Sequence, residues 1–166
     1  MKIWIDADAC PKIIKELIFK TSFRLKISVT LVANSNMTVP LSSLISLVVV
    51  KKNPDEADHY ILNNFSNGDL VVTADIPLAA ALVAKGVVVL NPRGNVYTED
   101  NVGDILANRN LLQELRDGGL IQGGPAPLNQ NDKVKFANAL DRELTKLLRL
   151  NPSCKTATQP TKEQLV

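Results

Sequence analysis

The chain has 166 residues, of which 45% are hydrophobic and 22% are charged. These proportions exclude wholesale disorder, a collagen-like repeat and a disulfide-rich scaffold, and a chain of this length can bury a core of its own. Nineteen Lys and Arg residues against seventeen Asp and Glu residues give a net charge of +2. That charge is too small to indicate a nucleic-acid partner by itself.

Cysteine and histidine are too rare for a structural zinc site. The chain has two cysteines, Cys10 and Cys154, and a single histidine, His59, whereas structural zinc takes four such ligands. Two distant cysteines are typical of a reducing compartment, so we expect a cytoplasmic protein. Asp6 interrupts the first apolar run, and no uncharged apolar stretch reaches the roughly 18–20 residues of a membrane span. We therefore expect neither a signal peptide nor a membrane segment.

Short apolar runs alternate with segments of helical period along residues 1–150. In chain order the pattern predicts a strand at 2–6, a helix at 11–22, strands at 27–33 and 47–50, a helix at 54–65, a strand at 70–73, a helix at 76–85, a strand at 87–90, and helices near 100–117 and 132–149. This alternation predicts one α/β domain, a three-layer α/β/α sandwich with a parallel, Rossmann-like sheet of about five strands.

Boundary signals refine these elements. Asn53, Pro54 and Glu56 form a capping-box pattern that predicts a helix beginning at Pro54. Residues 117–127 are rich in glycine and proline, which indicates a connector between the last two helices. Residues 151–166 lose all periodicity, so we expect a disordered C-terminal tail after a domain at 1–150.

Polar side chains follow the predicted strands at the point where each strand ends. Because the carboxyl ends of parallel strands meet at one edge of a sheet, these side chains are expected to collect there. The acidic ones are Asp6 and Asp8 after the first strand, Asp55, Glu56 and Asp58 after the third, and Asp75 after the fourth. The others are Asn34, Thr73, Asn91 and Arg93.

Each carboxylate alone has a structural interpretation. Asp8 and Asp75 could cap the helices that follow them, and an acid in a first turn stabilises a helix by about 0.3–1 kcal/mol. Helix capping does not explain all of these carboxylates together. Two carboxylates about 4 Å apart repel by roughly 4 kcal/mol at an effective dielectric constant of 20, so several in one place are costly without a cation. Oxygen ligands without sulfur suit Mg²⁺ or Mn²⁺. The pattern therefore predicts a divalent-metal site, of the kind that activates water and neutralises charge on a phosphate.

Basic residues near the same edge suit flanking phosphates. Arg93 lies in a predicted tight turn after the fifth strand and is a candidate phosphate ligand. Residues 12–26 hold five basic residues against Glu16, either as a solvated helix face or as a phosphate-binding surface to which Lys12 would belong. Asn34, Thr73 and Asn91 would then orient ligands or water.

Several motifs together resemble one family. They are residues 4–11 (WIDADACP), 68–79 (GDLVVTADIPLA), 90–94 (LNPRG), 123–125 (GGP) and 136–142 (FANALDR). In this order and over nearly all of residues 1–149, the chain resembles the YaiI/YqxD family of uncharacterised bacterial proteins. That family in turn resembles the PIN-like superfamily, whose better-known members are metal-dependent nucleases with a Rossmann-type α/β/α sandwich.

The resemblance implies a sheet order of 3-2-1-4-5 and metal ligands at Asp6, Asp58 and Asp75, with Asp8 as a further oxygen donor. At the level of the superfamily it implies a phosphodiester hydrolase that uses Mg²⁺ or Mn²⁺, with Asp6, Asp58 and Asp75 as catalytic residues. We expect RNA rather than DNA as the substrate. The chain departs from the family where two acids usually follow Ala57, because His59 stands in the second place. We interpret His59 as a helix-surface residue.

Two other classes of function remain open. The Asp6-Ala7-Asp8 motif also resembles the start of haloacid-dehalogenase phosphatases, in which Asp6 would be a covalent nucleophile, although Cys10 stands where that family has Thr or Val. A non-catalytic nucleic-acid or protein-binding module with a vestigial site is the second alternative. Cys10 lacks the partners of a catalytic thiol and is expected to be a small buried residue.

Overall fold

The computed structural model describes residues 1–53, 55–122 and 127–150. Within these ranges the elements in chain order are β1 (Lys2–Asp6), α1 (Lys12–Leu25), β2 (Ser28–Ala33), β3 (Ile45–Val49), α2 (Glu56–Asn64), β4 (Leu70–Val72), α3 (Ile76–Ala84), β5 (Val88–Leu90), β6 (Val96–Tyr97), α4 (Glu99–Asp117) and α5 (Gln130–Leu150). A single 3₁₀ turn at Ala7–Ala9 follows β1. The predicted alternation of strands and helices is confirmed.

The described strands form one sheet in the order β3-β2-β1-β4-β5-β6. All neighbours are parallel except β6, which runs antiparallel to β5. At the centre, Ile5 of β1 lies beside Leu31 of β2 and Val72 of β4. The chain leaves β1 towards β2 on one side and later returns to β4 on the other, so the edge beyond Asp6 is the topological switch point of the sheet.

Apolar side chains on both faces of the sheet make the three layers. In β1, Ile3 and Ile5 face a cluster built with α1 and α5, whereas Trp4 faces a second cluster with α2 and α3. Burying each of these large side chains stabilises the fold by about 1.5–3 kcal/mol. The predicted α/β/α sandwich is therefore confirmed. None of the described helices is both long and apolar enough to cross a bilayer.

The predicted start of the second helix is wrong. The helix begins at Glu56, and its N-cap is Asp55, which has left-handed backbone (φ 65) and makes no side-chain capping bond. The amide of Glu56 instead contacts the carbonyl of Asn53 at 3.4 Å, so the turn after β3 extends to Asp55 and no capping box forms. Position 54, residues 123–126 of the predicted connector and the predicted tail at 151–166 lie outside the described residues.

Two further differences have local causes. The first helix continues to Leu25, because Lys26 adopts left-handed backbone and its amide closes the helix on the carbonyl of Ser22. Strand β6 was not predicted, since two residues on an antiparallel edge carry no recognisable period.

Candidate functional site

An open cleft of about 360 Å³ lies at the carboxyl edge of the sheet. Its walls come from the turn after β1, the loop after β2, the segment between β3 and α2, and the start of α3. The acidic lining residues are Asp6, Asp8, Asp55, Glu56, Asp58 and Asp75. Asn34, Lys52 and Asn53 also line this cleft, and Lys52 is its one lysine among the described residues. We call it the acidic cleft.

Thr73 joins two of the acids beneath the cleft. This residue follows β4 directly and is fully buried. Its Oγ1 donates a hydrogen bond to Oδ2 of Asp6 at 3.0 Å and accepts one from the amide of Asp75 at 3.0 Å. Asp75 in turn caps α3, because its Oδ1 accepts from the amide of Leu78 at 3.0 Å. One hydroxyl therefore fixes both the Asp6 carboxylate and the turn that presents Asp75.

Asp58 reaches the same two acids from the first turn of α2. The pKa of Asp58 is raised to about 7, first by burial and then by the charges of Asp75, Asp6 and Asp55 and a hydrogen bond shared with Asp75. The pKa of Asp6 is also raised, by burial first and then by Asp75 and Asp8, against the lowering effect of the bond from Thr73. Protonation or a bound cation would relieve this crowding of negative charge.

Asp8 stands at the outer rim, exposed on the 3₁₀ turn. Its Oδ2 accepts from the amide of Asn34 at 2.8 Å, which ties the loop after β2 to the turn after β1. The alternative that Asp8 caps the following helix is wrong, since α1 has Pro11 as its N-cap and no side-chain capping bond. The corresponding alternative for Asp75 is confirmed, because its side chain does cap α3.

The donor set suits a hydrated hard cation. In the part of the chain that the structure describes, no three His, Cys, Asp or Glu side chains converge tightly enough to enclose a metal ion directly. Mg²⁺ in proteins commonly takes one or two carboxylates and keeps several water ligands. The oxygen atoms of Asp6, Asp58 and Asp75, with Asp8 at the rim, would therefore suit such an ion, held in part through its water ligands.

Two predicted substrate-binding residues lie around a neighbouring pocket instead. Asn91 donates from Nδ2 to the hydroxyl of Tyr97 at 2.7 Å and accepts at Oδ1 from the amide of Arg93 at 2.8 Å. The guanidinium of Arg93 pairs with Asp132 of α5 at 2.9 Å. Gly94 (φ +90) closes this turn so near α5 that a Cβ would lie 2.6 Å from its backbone. These contacts dock the turn after β5 onto α5.

The acidic cleft also contains two residues that were not predicted as site residues. Lys52 and Asn53 line it because they follow β3, as Asn34 follows β2. The rule that strand ends share one edge would have identified them. Lys12, a predicted phosphate ligand, lines a different pocket.

The structure shows the surroundings of His59 and Cys10, whose roles the sequence left open. His59 is exposed on α2 and is not among the residues that line the acidic cleft. Cys10 is buried, and burial raises the pKa of its thiol to about 12, which disfavours the nucleophilic thiolate. The prediction of a small buried cysteine is confirmed.

Fold and site together define an α/β protein with a doubly wound sheet and an acidic cleft at its switch point. A sequence model described as "Uncharacterized BCR, YaiI/YqxD family" matches residues 4–146, and the chain belongs to this family. A UPF0178 protein of Geobacter metallireducens is 54% identical over 149 residues, which are 90% of this chain and 96% of the relative. Comparable relatives occur in Citrifermentans bemidjiense (56% identity; 90% of this chain, 97% of the relative) and Pseudomonas fluorescens (48%; 90% and 99%). No solved structure matches the chain.

Proposed function

We propose that the acidic cleft binds Mg²⁺ or Mn²⁺ and that the protein hydrolyses phosphodiester bonds, in RNA in preference to DNA. The observation that carries this proposal is the meeting of Asp6, Asp58 and Asp75, from three separate segments, at the switch point of the sheet. Their mutual repulsion destabilises the protein without a cation. The resemblance to PIN-like nucleases supports a nucleic acid as the substrate.

The chain supplies preorganised oxygen atoms around the place of reaction. Thr73 fixes Asp6, and the helix cap fixes Asp75, so neither carboxylate has to reorganise when a ligand arrives. A divalent cation bound there would activate water and neutralise charge on the phosphate. In the metal-free protein the pKa of Asp58 is raised to about 7, and a bound cation would favour its ionised carboxylate. Lys52 places a positive charge in the same cleft for a phosphate oxygen of the substrate.

An RNA cleavage assay tests the proposal. End-labelled single-stranded RNA and DNA of the same sequence are incubated with the protein and Mn²⁺, Mg²⁺ or a chelator. We expect cleavage with either metal, none with the chelator, and none by Asp75→Asn. This variant keeps an oxygen that accepts from Leu78, so it removes the charge and preserves the cap of α3. Asp104→Asn, at an exposed position of α4, is the matched control and should stay active.

The other outcomes separate the alternatives. Full activity of Asp75→Asn would contradict the proposal. Binding of RNA without cleavage by the folded protein would favour the non-catalytic module. Phosphorylation of Asp6 by a phosphate ester would favour the phosphatase mechanism.

A further inference from the structure

A second pocket, of about 450 Å³, lies between α1 and the loop after β2. Its apolar lining includes Phe19 of α1 and Met37, Val39 and Pro40 of the loop, and its positive charge comes from Lys12 and Lys15. We call it the lysine pocket. Its volume lies in the range of roughly 300–1,000 Å³ that is usual for small-molecule sites.

The lysine pocket and the acidic cleft share the loop after β2 as a wall, and a hydrogen bond from α1 joins the pocket to the turn after β1. The ammonium of Lys15 donates to the carbonyl of Ala7 at 3.3 Å, and Ala7 stands between the two acids Asp6 and Asp8. The loop after β2 contributes Asn34 to the cleft and residues 37–40 to the pocket. The two sites therefore lie along one loop, with Asn34 in the cleft and Met37 in the pocket three positions apart.

The chemistry of the pocket fits a flat apolar group that carries negative charge. Two lysines stand against one acid, Glu16, and the apolar side chains offer surfaces on which a heteroaromatic ring can pack. Lys15 uses two of its three N–H donors, on Ala7 and on the sulfur of Met37, and the described residues take no third. The acidic cleft beside it repels anions unless a cation is bound, so phosphate is directed towards the lysines.

We propose that the lysine pocket binds the nucleotide next to the scissile phosphodiester. The base packs against Phe19, Met37 and Val39, and the phosphate of that nucleotide is bound by Lys12 and Lys15. This inference rests on the proposed function, because it assigns the substrate neighbouring the bond that the acidic cleft would cleave.

The two methionines of the chain offer a direct probe. Met37 lines the lysine pocket, whereas Met1 precedes β1 at the opposite edge of the sheet. In protein with ¹³C-labelled methionine methyl groups and no metal, adenosine 5′-monophosphate should shift the Met37 signal saturably and leave Met1 in place. Adenosine alone and inorganic phosphate alone should each bind at least about tenfold more weakly, because each lacks half of the contacts.

A matched pair of charge reversals completes the test. Lys12→Glu should weaken binding of the nucleotide at least about tenfold, since it removes a charged hydrogen bond and adds repulsion. Lys20→Glu makes the same change at an exposed position of the same helix outside the pocket and should leave the affinity unchanged.

Three results would overturn the inference. They are a Met37 methyl signal that does not shift at millimolar nucleotide, a Met1 signal that shifts equally, and inorganic phosphate that binds as tightly as the nucleotide. These failures are distinct from failure of the hydrolase. RNA cleavage without a shift of the Met37 signal would contradict nucleotide binding in the lysine pocket and leave the proposed hydrolase standing. A Met37 response without RNA cleavage would keep the pocket and remove the hydrolase.

Discussion

Two buried carboxylates at opposite edges of the same sheet have opposite surroundings. Asp69, before β4 at the amino edge, is 5% exposed and accepts three hydrogen bonds, from the amides of Lys2 and Ser66 and from Nε1 of Trp4, at 2.9–3.0 Å. Asp6, at the carboxyl edge, is 6% exposed, and among the described residues its side chain accepts one bond, from Thr73. The charged groups that act on it are the acids Asp75 and Asp8.

This difference separates a structural carboxylate from one suited to a ligand. Three donors from two segments, β1 and the turn before β4, satisfy Asp69, so its charge holds the amino edge together. Burial and the charges of Asp75 and Asp8 raise the pKa of Asp6, and the single bond from Thr73 only partly opposes them. Burial alone does not distinguish the two positions, whereas the partners of each carboxylate do.

The largest effect is expected at the amino edge. Asp69→Ala leaves the indole N–H of Trp4 and the amide of Lys2 without their acceptor, so the free energy of unfolding should fall by about 3–5 kcal/mol. Urea denaturation, monitored by circular dichroism, measures this loss of stability. A loss below about 1 kcal/mol, within the range of an ordinary surface substitution, would show that this carboxylate is not structural.

Thr73→Val probes the link between the two acids at the carboxyl edge. The substitution keeps the shape of the side chain and removes both hydrogen bonds of its hydroxyl, to Asp6 and from the amide of Asp75. We expect the free energy of unfolding to fall by about 2 kcal/mol. Thr73→Ser, which retains the hydroxyl, is the control and should recover part of the loss. Equal stability of Thr73→Val and the natural protein would contradict the proposed role.

Asp58→Asn should stabilise the metal-free protein in a pH-dependent way. The pKa of Asp58 is raised from 3.8 to about 7, so the folded state holds this proton more tightly than the unfolded state does. Its stabilising contribution is present at low pH and is lost as the pH rises through about 7. Above that pH the free energy of unfolding of the variant should exceed that of the natural protein by about 1–2 kcal/mol, after discounting for solvent screening. This difference should vanish near pH 4. Parallel pH–stability curves would contradict this.

The smallest effect separates the two roles of Asp75. Asp75→Asn retains an acceptor for the amide of Leu78, whereas Asp75→Ala removes the cap of α3. The Ala variant should be less stable than the Asn variant by about 1 kcal/mol. Thermal or urea unfolding of the two metal-free variants provides the comparison, and equal stabilities would show that the cap contributes nothing.

The carboxyl ends of parallel strands share one edge of the sheet, and this rule explains which site residues the sequence could predict. Asp6 and Asp75 meet because β1 and β4 are parallel neighbours, and both positions follow directly from the sequence pattern. Asp58 was expected at the same edge because it follows β3, but only the resemblance selected it over Asp55 and Glu56, since the direction of a side chain on α2 depends on where that helix begins. Its start was mispredicted by two residues, because the left-handed backbone of Asp55 has no signature in the pattern.

The sequence pattern could not predict contacts between segments that are distant in the chain. The guanidinium of Arg93 pairs with Asp132, a residue of α5 that lies 39 positions further along the chain. Local sequence shows a tight turn at Arg93 but not which helix packs over it. Likewise, Lys12 lines the lysine pocket because of the path taken by residues 37–40 after β2.

Calorimetric titration of Mn²⁺ into the metal-free protein tests the central claim most directly, namely that the acidic cleft is a metal site. We predict saturable binding to the natural protein and to Asp104→Asn, and its loss in Asp75→Asn, which stays folded. Equal binding by Asp75→Asn, or no binding at millimolar Mn²⁺ even with a phosphodiester analogue present, would contradict the account.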